Sequence, residues 1–109
     1  MIFFPGKCYS GYRDGQCPTG DMQQAMYPDK QICFTELGWA TNTAHADHAD
    51  YASVANQKRY LEEVADYLKS EEIVGFVFEA FDELWKDPSS PAASECNWGI
   101  YDINRKKKW

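Results

Sequence analysis

Apolar residues along this chain recur with two different periods, and the switch between them marks out its elements. Gln31-Ile32-Cys33-Phe34-Thr35 is a short apolar-rich run that predicts a buried strand leading into Glu36-Leu37-Gly38-Trp39. Ile73 to Phe78 is almost continuously apolar, the pattern of a strand buried on both faces. Between them, from about Asp50 to Ser70, the period is helical. Val54, Leu61, Val64, Ala65 and Leu68 share one face, and Lys58, Glu62, Glu63, Asp66 and Lys69 populate the other.

The flanking segments are shorter or more polar. Met1 to Phe4 reads as a strand end closed by Pro5-Gly6, and Lys7 to Gly20 as a glycine-rich loop. Asp21 is a suitable N-cap for a short helix over Met22 to Met26. Residues 40–50 form a polar loop with the repeat His45-Ala46-Asp47 and His48-Ala49-Asp50. A Pro/Ser/Ala loop spans Asp87 to Ser94, and Trp98-Gly99-Ile100-Tyr101 predicts a short extended segment. Buried strands alternating with an amphipathic helix indicate βαβ units and a parallel sheet. In such folds ligands meet the C-terminal ends of the strands.

Composition narrows the function classes. The 109 residues are 44% hydrophobic and 26% charged, a globular composition of single-domain size. A net charge of −6 argues against a nucleic-acid surface. The basic cluster Arg105-Lys106-Lys107-Lys108 reads as a solvated tail. No run is long and apolar enough to span a membrane, and Met1-Ile2-Phe3-Phe4 is too short and uncharged for a signal peptide. Cys8 and Cys17 bracket a loop and could close it as a disulfide, whereas Cys33 is expected as a buried free thiol. The spacing of Cys8, Cys17, Cys33 and Cys96 matches no zinc pattern, so no metal and no cofactor is expected. The His45/Asp47/His48/Asp50 loop looks like a metal cluster on paper but reads as a solvated loop.

Candidate chemistry lies after the two predicted strands. The first ends in Glu36, followed by Gly38-Trp39, and the second in Glu79, Asp82, Glu83, Trp85 and Lys86. A single strand-end glutamate is ordinarily a solvated or capping residue. Carboxylates at two successive strand ends, each beside tryptophan, are more specific. Cleavage of a glycosidic bond with retention uses a carboxylate nucleophile and a second carboxylic acid about 5–5.5 Å away. Flat aromatic faces such as Trp39, Phe81, Trp85 and Trp98 suit the apolar C–H faces of a sugar ring.

These residues carry a family resemblance. Phe34-Thr35-Glu36-Leu37-Gly38-Trp39 resembles the E-x-G-W signature of glycoside hydrolase family 17, the endo-1,3-β-glucanases and related glucanosyltransferases. Phe78-Glu79-Ala80-Phe81-Asp82-Glu83-Leu84-Trp85-Lys86 is similar to that family's F-E-A-F-D-E-x-W-K segment at the eighth strand. Glu95 ahead of Trp98-Gly99-Ile100, and Asn56-Gln57 and Tyr60 on the helix, also fall where the family carries similar residues. The resemblance implies an α/β chain forming part of a (β/α)8 TIM barrel, its last two to three β/α units with parallel strands. Residues 31–109 would be the family-like core and 1–30 a divergent, loop-rich segment.

It implies Glu36 as nucleophile, with Glu83 and Lys86 as catalytic supports that hold charge and hydrogen bonds around it, Lys86 also keeping it ionised. Trp39, Glu79, Asp82, Trp85, Glu95 and Trp98 would contact or surround a β-1,3-glucan substrate. The family's general acid, a glutamate in an N-E dipeptide at the fourth strand, has no counterpart here. Leu37 replaces a small polar residue, and Ala40 stands where the glucanases commonly have proline. The expectation is therefore the nucleophile half of a retaining barrel, inactive alone, completed by an N-terminal barrel half or by self-association. The alternative is a non-catalytic glucan-binding or assembly module. Secretion or cell-wall association would follow from the parent family.

Overall fold

The computed structural model describes residues 25–109 together with the strands Ile2–Phe4 and Lys7–Tyr9. These strands, β1 (Ile2–Phe4) and β2 (Lys7–Tyr9), pair antiparallel, with Ile2 opposite Tyr9 and Phe4 opposite Lys7. A stretch expected to be loop from Lys7 therefore begins as the return strand of a hairpin. The expected Met22–Met26 helix lies largely outside the described residues, of which Ala25 and Met26 are helical. The Cys8–Cys17 pairing also lies outside them.

The remainder is built on one βαβ unit. Strand β3 (Cys33–Leu37) lies parallel to β4 (Val74–Val77), joined by helix α1 (Val54–Ser70). Ser53 starts α1 by accepting a hydrogen bond from the Asn56 N–H at 3.2 Å. The helix ends in a Schellman turn: Glu72 takes a left-handed φ of 54°, and the Ile73 N–H donates to the Leu68 carbonyl at 2.9 Å. The face that α1 buries is Gln57, Tyr60, Leu61 and Val64, an i, i+3, i+4, i+7 stripe. Val54 and Ala65, expected on that face, are exposed, because the stripe is centred on a fully buried glutamine that hydropathy alone does not flag.

Leu37, Trp39, Tyr60, Leu61 and Val64 form the core, with Phe34, Leu68, Ile100 and Trp109 packed against it. Each large apolar side chain buried there contributes about 1.5–3 kcal/mol. Gly75 marks the contact between helix and sheet, since a Cβ at this point would stand 2.6 Å from Leu68 Cδ1 and 2.7 Å from Leu37 Cδ1. Gly38 marks the strand ends: a Cβ there would collide with the Phe78 carbonyl oxygen, and the Phe78 N–H donates to Leu37 O at 2.8 Å.

Two buried polar constructions tie the closing segment to this unit. The Gln57 side-chain NH2 lies 3.0 Å from the carbonyls of Trp39, Trp98 and Gly99, its two N–H groups shared among the three acceptors. The amide oxygen accepts from the Trp109 indole at 3.1 Å. Lys108 pairs with Asp82 at 2.7 Å and donates to Thr41 Oγ1 at 2.7 Å, while Asp82 also accepts the Gly99 N–H at 3.0 Å. The Lys108 side chain is thus only 9% exposed, unlike its exposed neighbours Arg105, Lys106 and Lys107, and does not belong to a solvated tail. Trp98 to Tyr101 runs beside residues 79–82 through Ile100 N–H to Glu79 O at 3.1 Å and Tyr101 N–H to Ala80 O at 2.9 Å. The extended segment expected here pairs through isolated bridges, Tyr101 with Phe81 and with Lys107.

Two burial expectations are corrected. Val74, Phe76 and Val77 are exposed, Phe76 to 59%, so β4 is not buried on both faces among the described residues. Cys33 is exposed rather than a buried thiol. Both follow from a parallel sheet of only two strands covered by one helix: the second face and the outer edges have no neighbour among the described residues.

Replacing Gln57 by Leu leaves three buried carbonyls and an indole N–H without their partner, and is expected to cost about 3 kcal/mol. A fall in the urea midpoint at unchanged m reports it, and a change below about 0.5 kcal/mol would contradict the linking role. Lys108→Met strands a carboxylate buried to 8% exposure, with an expected loss of about 3 kcal/mol in the same measurement.

Candidate active site

Strand pairing brings the two groups of strand-end carboxylates to one rim. Phe34 lies opposite Gly75 and Leu37 opposite Val77, so three residue steps on β3 face two on β4. The extra residue makes a bulge across Thr35 and Glu36, a device that re-aims a side chain at a strand end. Glu36 is exposed there, and among the described residues its carboxylate makes no ion pair or hydrogen bond. Two residues later Gly38 passes against the Phe78 carbonyl, so the glycine of the motif is required by close approach of the two strand ends.

Beyond β4 the chain passes through a cis Phe78–Glu79 peptide into a short 3-10 turn, Leu84–Lys86. Lys86 Nζ contacts both Glu79 oxygens, at 2.7 and 2.9 Å, and Glu83 Oε2 at 2.8 Å. The ammonium also stands 4.6 Å from the centre of the Phe78 ring. One cation therefore bridges two carboxylates. Burial pushes the Glu79 carboxyl above the usual carboxylate range; the Lys86 contact opposes this and the nearby Glu83 reinforces it. The Lys86 hydrogen bond holds Glu83 below that range, aided by a hydrogen bond with Glu79. Burial acts to lower the Lys86 ammonium, but its two carboxylate partners outweigh this and raise it.

The other candidates take distinct positions. Trp39 is buried to 4%, packs on Tyr60 at 5.5 Å between ring centres, and donates its indole N–H to Tyr51 O at 2.8 Å. It walls a cavity of about 150 Å³ with Tyr51, Asn56, Arg59 and Tyr60. Trp85, in the turn that carries Lys86, is 71% exposed and offers a flat aromatic face. Trp98 is half-buried and edge-on to Phe78 at 6.1 Å; its indole N–H is enclosed with no acceptor among the described residues. Glu95 is exposed in the turn Ser94–Cys96, which is tied to the site by the Glu83 N–H donating to Cys96 O at 3.1 Å. Asp82 is committed to Lys108 and the Gly99 N–H. Among the described residues no three His, Cys, Asp or Glu side chains are grouped to hold a metal, the His45–Asp50 loop included.

Sequence patterns gave no sign of Lys108 as the partner of Asp82, because their separation of 26 residues follows no local period. Gln57 was visible only as a family-like residue on the helix. Its signal was position: it stands one helical turn before Leu61 and two before Val64, on the apolar stripe.

Comparisons with known proteins identify the family and the fold. The model of glycosyl hydrolases family 17 matches residues 21–109. A glucan 1,3-beta-glucosidase of Arthroderma benhamiae is 33% identical over 82 residues, covering 72% of this chain and 27% of that protein. A glucan 1,3-beta-glucosidase of Saccharomyces cerevisiae is 32% identical over 75 residues, 68% of this chain and 24% of its own length. This chain thus spans about a quarter of the length of these relatives. Among solved structures, an active-site mutant of Rhizomucor miehei beta-1,3-glucanosyltransferase in complex with laminaritriose superimposes with a TM-score of 0.67 at 25% identity. It covers 81% of this chain and 31% of that one. An endo-laminarinase from Formosa shares the fold, with a TM-score of 0.67 at 23% identity over 76% of this chain and 22% of its own. The described βαβ unit is a partial α/β piece of that architecture, and the chain belongs to glycosyl hydrolases family 17.

Proposed function

We propose that this chain supplies the nucleophile side of a retaining barrel that cleaves or transfers β-1,3-glucan. The observation that carries the reading is that Glu36 and the Lys86-bridged carboxylates follow the same ends of two adjacent parallel strands. Glu36 is exposed on a bulge, as an attacking carboxylate must be to reach an anomeric carbon. Lys86 supplies positive charge at the neighbouring strand end, which favours ionised carboxylates, and Glu83 is held ionised beside it. Glu95, Trp98 and the wall residue Trp39 complete the surroundings, and Trp85 presents a stacking face for a sugar ring.

Retention needs a second carboxylic acid, acting first as acid and then as base. In this reading that glutamate comes from the remaining β/α units of a (β/α)8 barrel, whose strands would also cover the exposed apolar residues of β4. The laminaritriose complex of the Rhizomucor relative supports β-1,3-linked glucose as the substrate class. The exposure of Trp85 favours one alternative, a module that binds glucan without turning it over.

In a barrel completed with the acid/base half, Glu36→Gln is expected to lower kcat on laminari-oligosaccharides at least about a thousandfold with little change in binding. The 109-residue chain alone is expected to show no turnover. Hydrolysis that survives Glu36→Gln would contradict the nucleophile assignment. Oligosaccharide binding without turnover by the completed barrel, lost on Trp85→Ala, would favour the binding module.

A further inference from the structure

Glu79 faces inward to a lysine rather than outward to solvent. Both of its oxygens lie on Lys86 Nζ, and the two side chains are 14% and 17% exposed. The Glu83 contact with the same ammonium is of a different kind. It joins residues three apart within one short turn, on a carboxylate that is 33% exposed. A lysine on a flexible four-carbon stem, held by one such contact, keeps several orientations. Glu79 belongs to the segment fixed by the Ile100 N–H to Glu79 carbonyl bond at 3.1 Å, so its carboxylate grips Lys86 from a part of the fold anchored independently of the turn. The Phe78 ring, 4.6 Å away, closes another side of the ammonium.

We propose that Glu79 is a positioning residue: by engaging Lys86 through both carboxylate oxygens, it fixes the ammonium at the end of β4, where it orients Glu83. This deepens the reading of the site given above and rests on it for its catalytic consequence. The hold itself is a property of the fold. With both oxygens turned to Lys86, Glu79 acts in this proposal through the lysine. The arrangement also sets the order of charge. Burial raises the Glu79 carboxyl above the usual range while the same ammonium holds Glu83 below it, so Glu83 ionises at lower pH than Glu79.

The test uses lysine acetylation followed by mass spectrometry on the complete barrel enzyme, with and without Glu79→Gln. A held, charged ammonium acylates slowly, so Lys86 in the wild type should react at least tenfold more slowly than the exposed Lys58. Glu79→Gln should accelerate Lys86 at least fivefold while Lys108 stays protected, which separates local release from unfolding. If Lys108 also becomes reactive, Glu79→Asp, which keeps the charge with a shorter reach, replaces it in the comparison. Unchanged Lys86 protection in these variants overturns the hold. On laminari-oligosaccharides, Glu79→Gln should reduce kcat at least tenfold with KM within threefold. Normal kcat with a released Lys86, or a loss confined to KM, overturns the positioning role. No turnover by the wild-type barrel sinks the glucan-cleaving reading instead, and the acetylation rates still decide whether Glu79 holds Lys86.

Discussion

A single side-chain amide, that of Gln57, is the constraint on which the rest of this structure depends. It sits on the buried face of α1 and reaches the backbone immediately after β3 and the backbone of the closing segment at once. No apolar residue could do this, because the carbonyls of Trp39, Trp98 and Gly99 would be buried without donors. A helix face that ought to be purely apolar therefore carries a polar group, fully satisfied. The terminal tryptophan completes the set from the other side. The result is that β3, α1 and residues 98–109 form one packed unit rather than a strand-helix pair with a loose tail.

From that unit the geometry of the rim follows. The closing segment, once fixed, is hydrogen-bonded to residues 79–82, and those residues set where Glu79, Asp82 and Glu83 begin. The buried Asp82–Lys108 pair ties the same segment to Thr41, just past Trp39. Gly38 then lets the ends of β3 and β4 meet without a side chain between them. Glu36 is carried outward by the bulge, while Glu79 and Glu83 beyond β4 are gathered under one lysine. Two chemically different carboxylate environments thus share one edge: one open to solvent, the other charge-compensated and partly enclosed. That separation is what a site needs if one carboxylate is to attack and others are to shape the field around it.

Much of this was legible in the sequence. The helix was read from its period, the strands from their apolar runs, and the parallel pairing from the alternation of the two. The position of Glu36 and of the Glu79-to-Lys86 segment at strand ends followed from the same pattern. What escaped was non-local. Lys108 resembled its solvated neighbours because nothing nearby in sequence pairs with it; its partner arrives only when the chain folds back. Gln57 has no apolar character that would place it on the buried stripe, and its carbonyl partners lie far away in sequence. Trp39 has the composition of a sugar-stacking residue, yet its burial is fixed by Tyr60 and by the Tyr51 carbonyl, two contacts that spacing does not reveal. The expected burial of β4 and Cys33 assumed neighbouring strands that the described residues do not include. The apolar pattern there describes a larger sheet than the two strands seen.

The central claim is that Glu36 is the carboxylate that becomes covalently attached to sugar. Its most direct measurement is trapping the glycosyl-enzyme of the completed barrel with a 2-deoxy-2-fluoro laminari-oligosaccharide bearing an activated leaving group, followed by peptide mass spectrometry. The account predicts a stoichiometric label on the peptide containing Glu36, at that residue. A label on Glu79, Glu83 or Glu95, or turnover of natural substrate with inversion and no label at all, would contradict it.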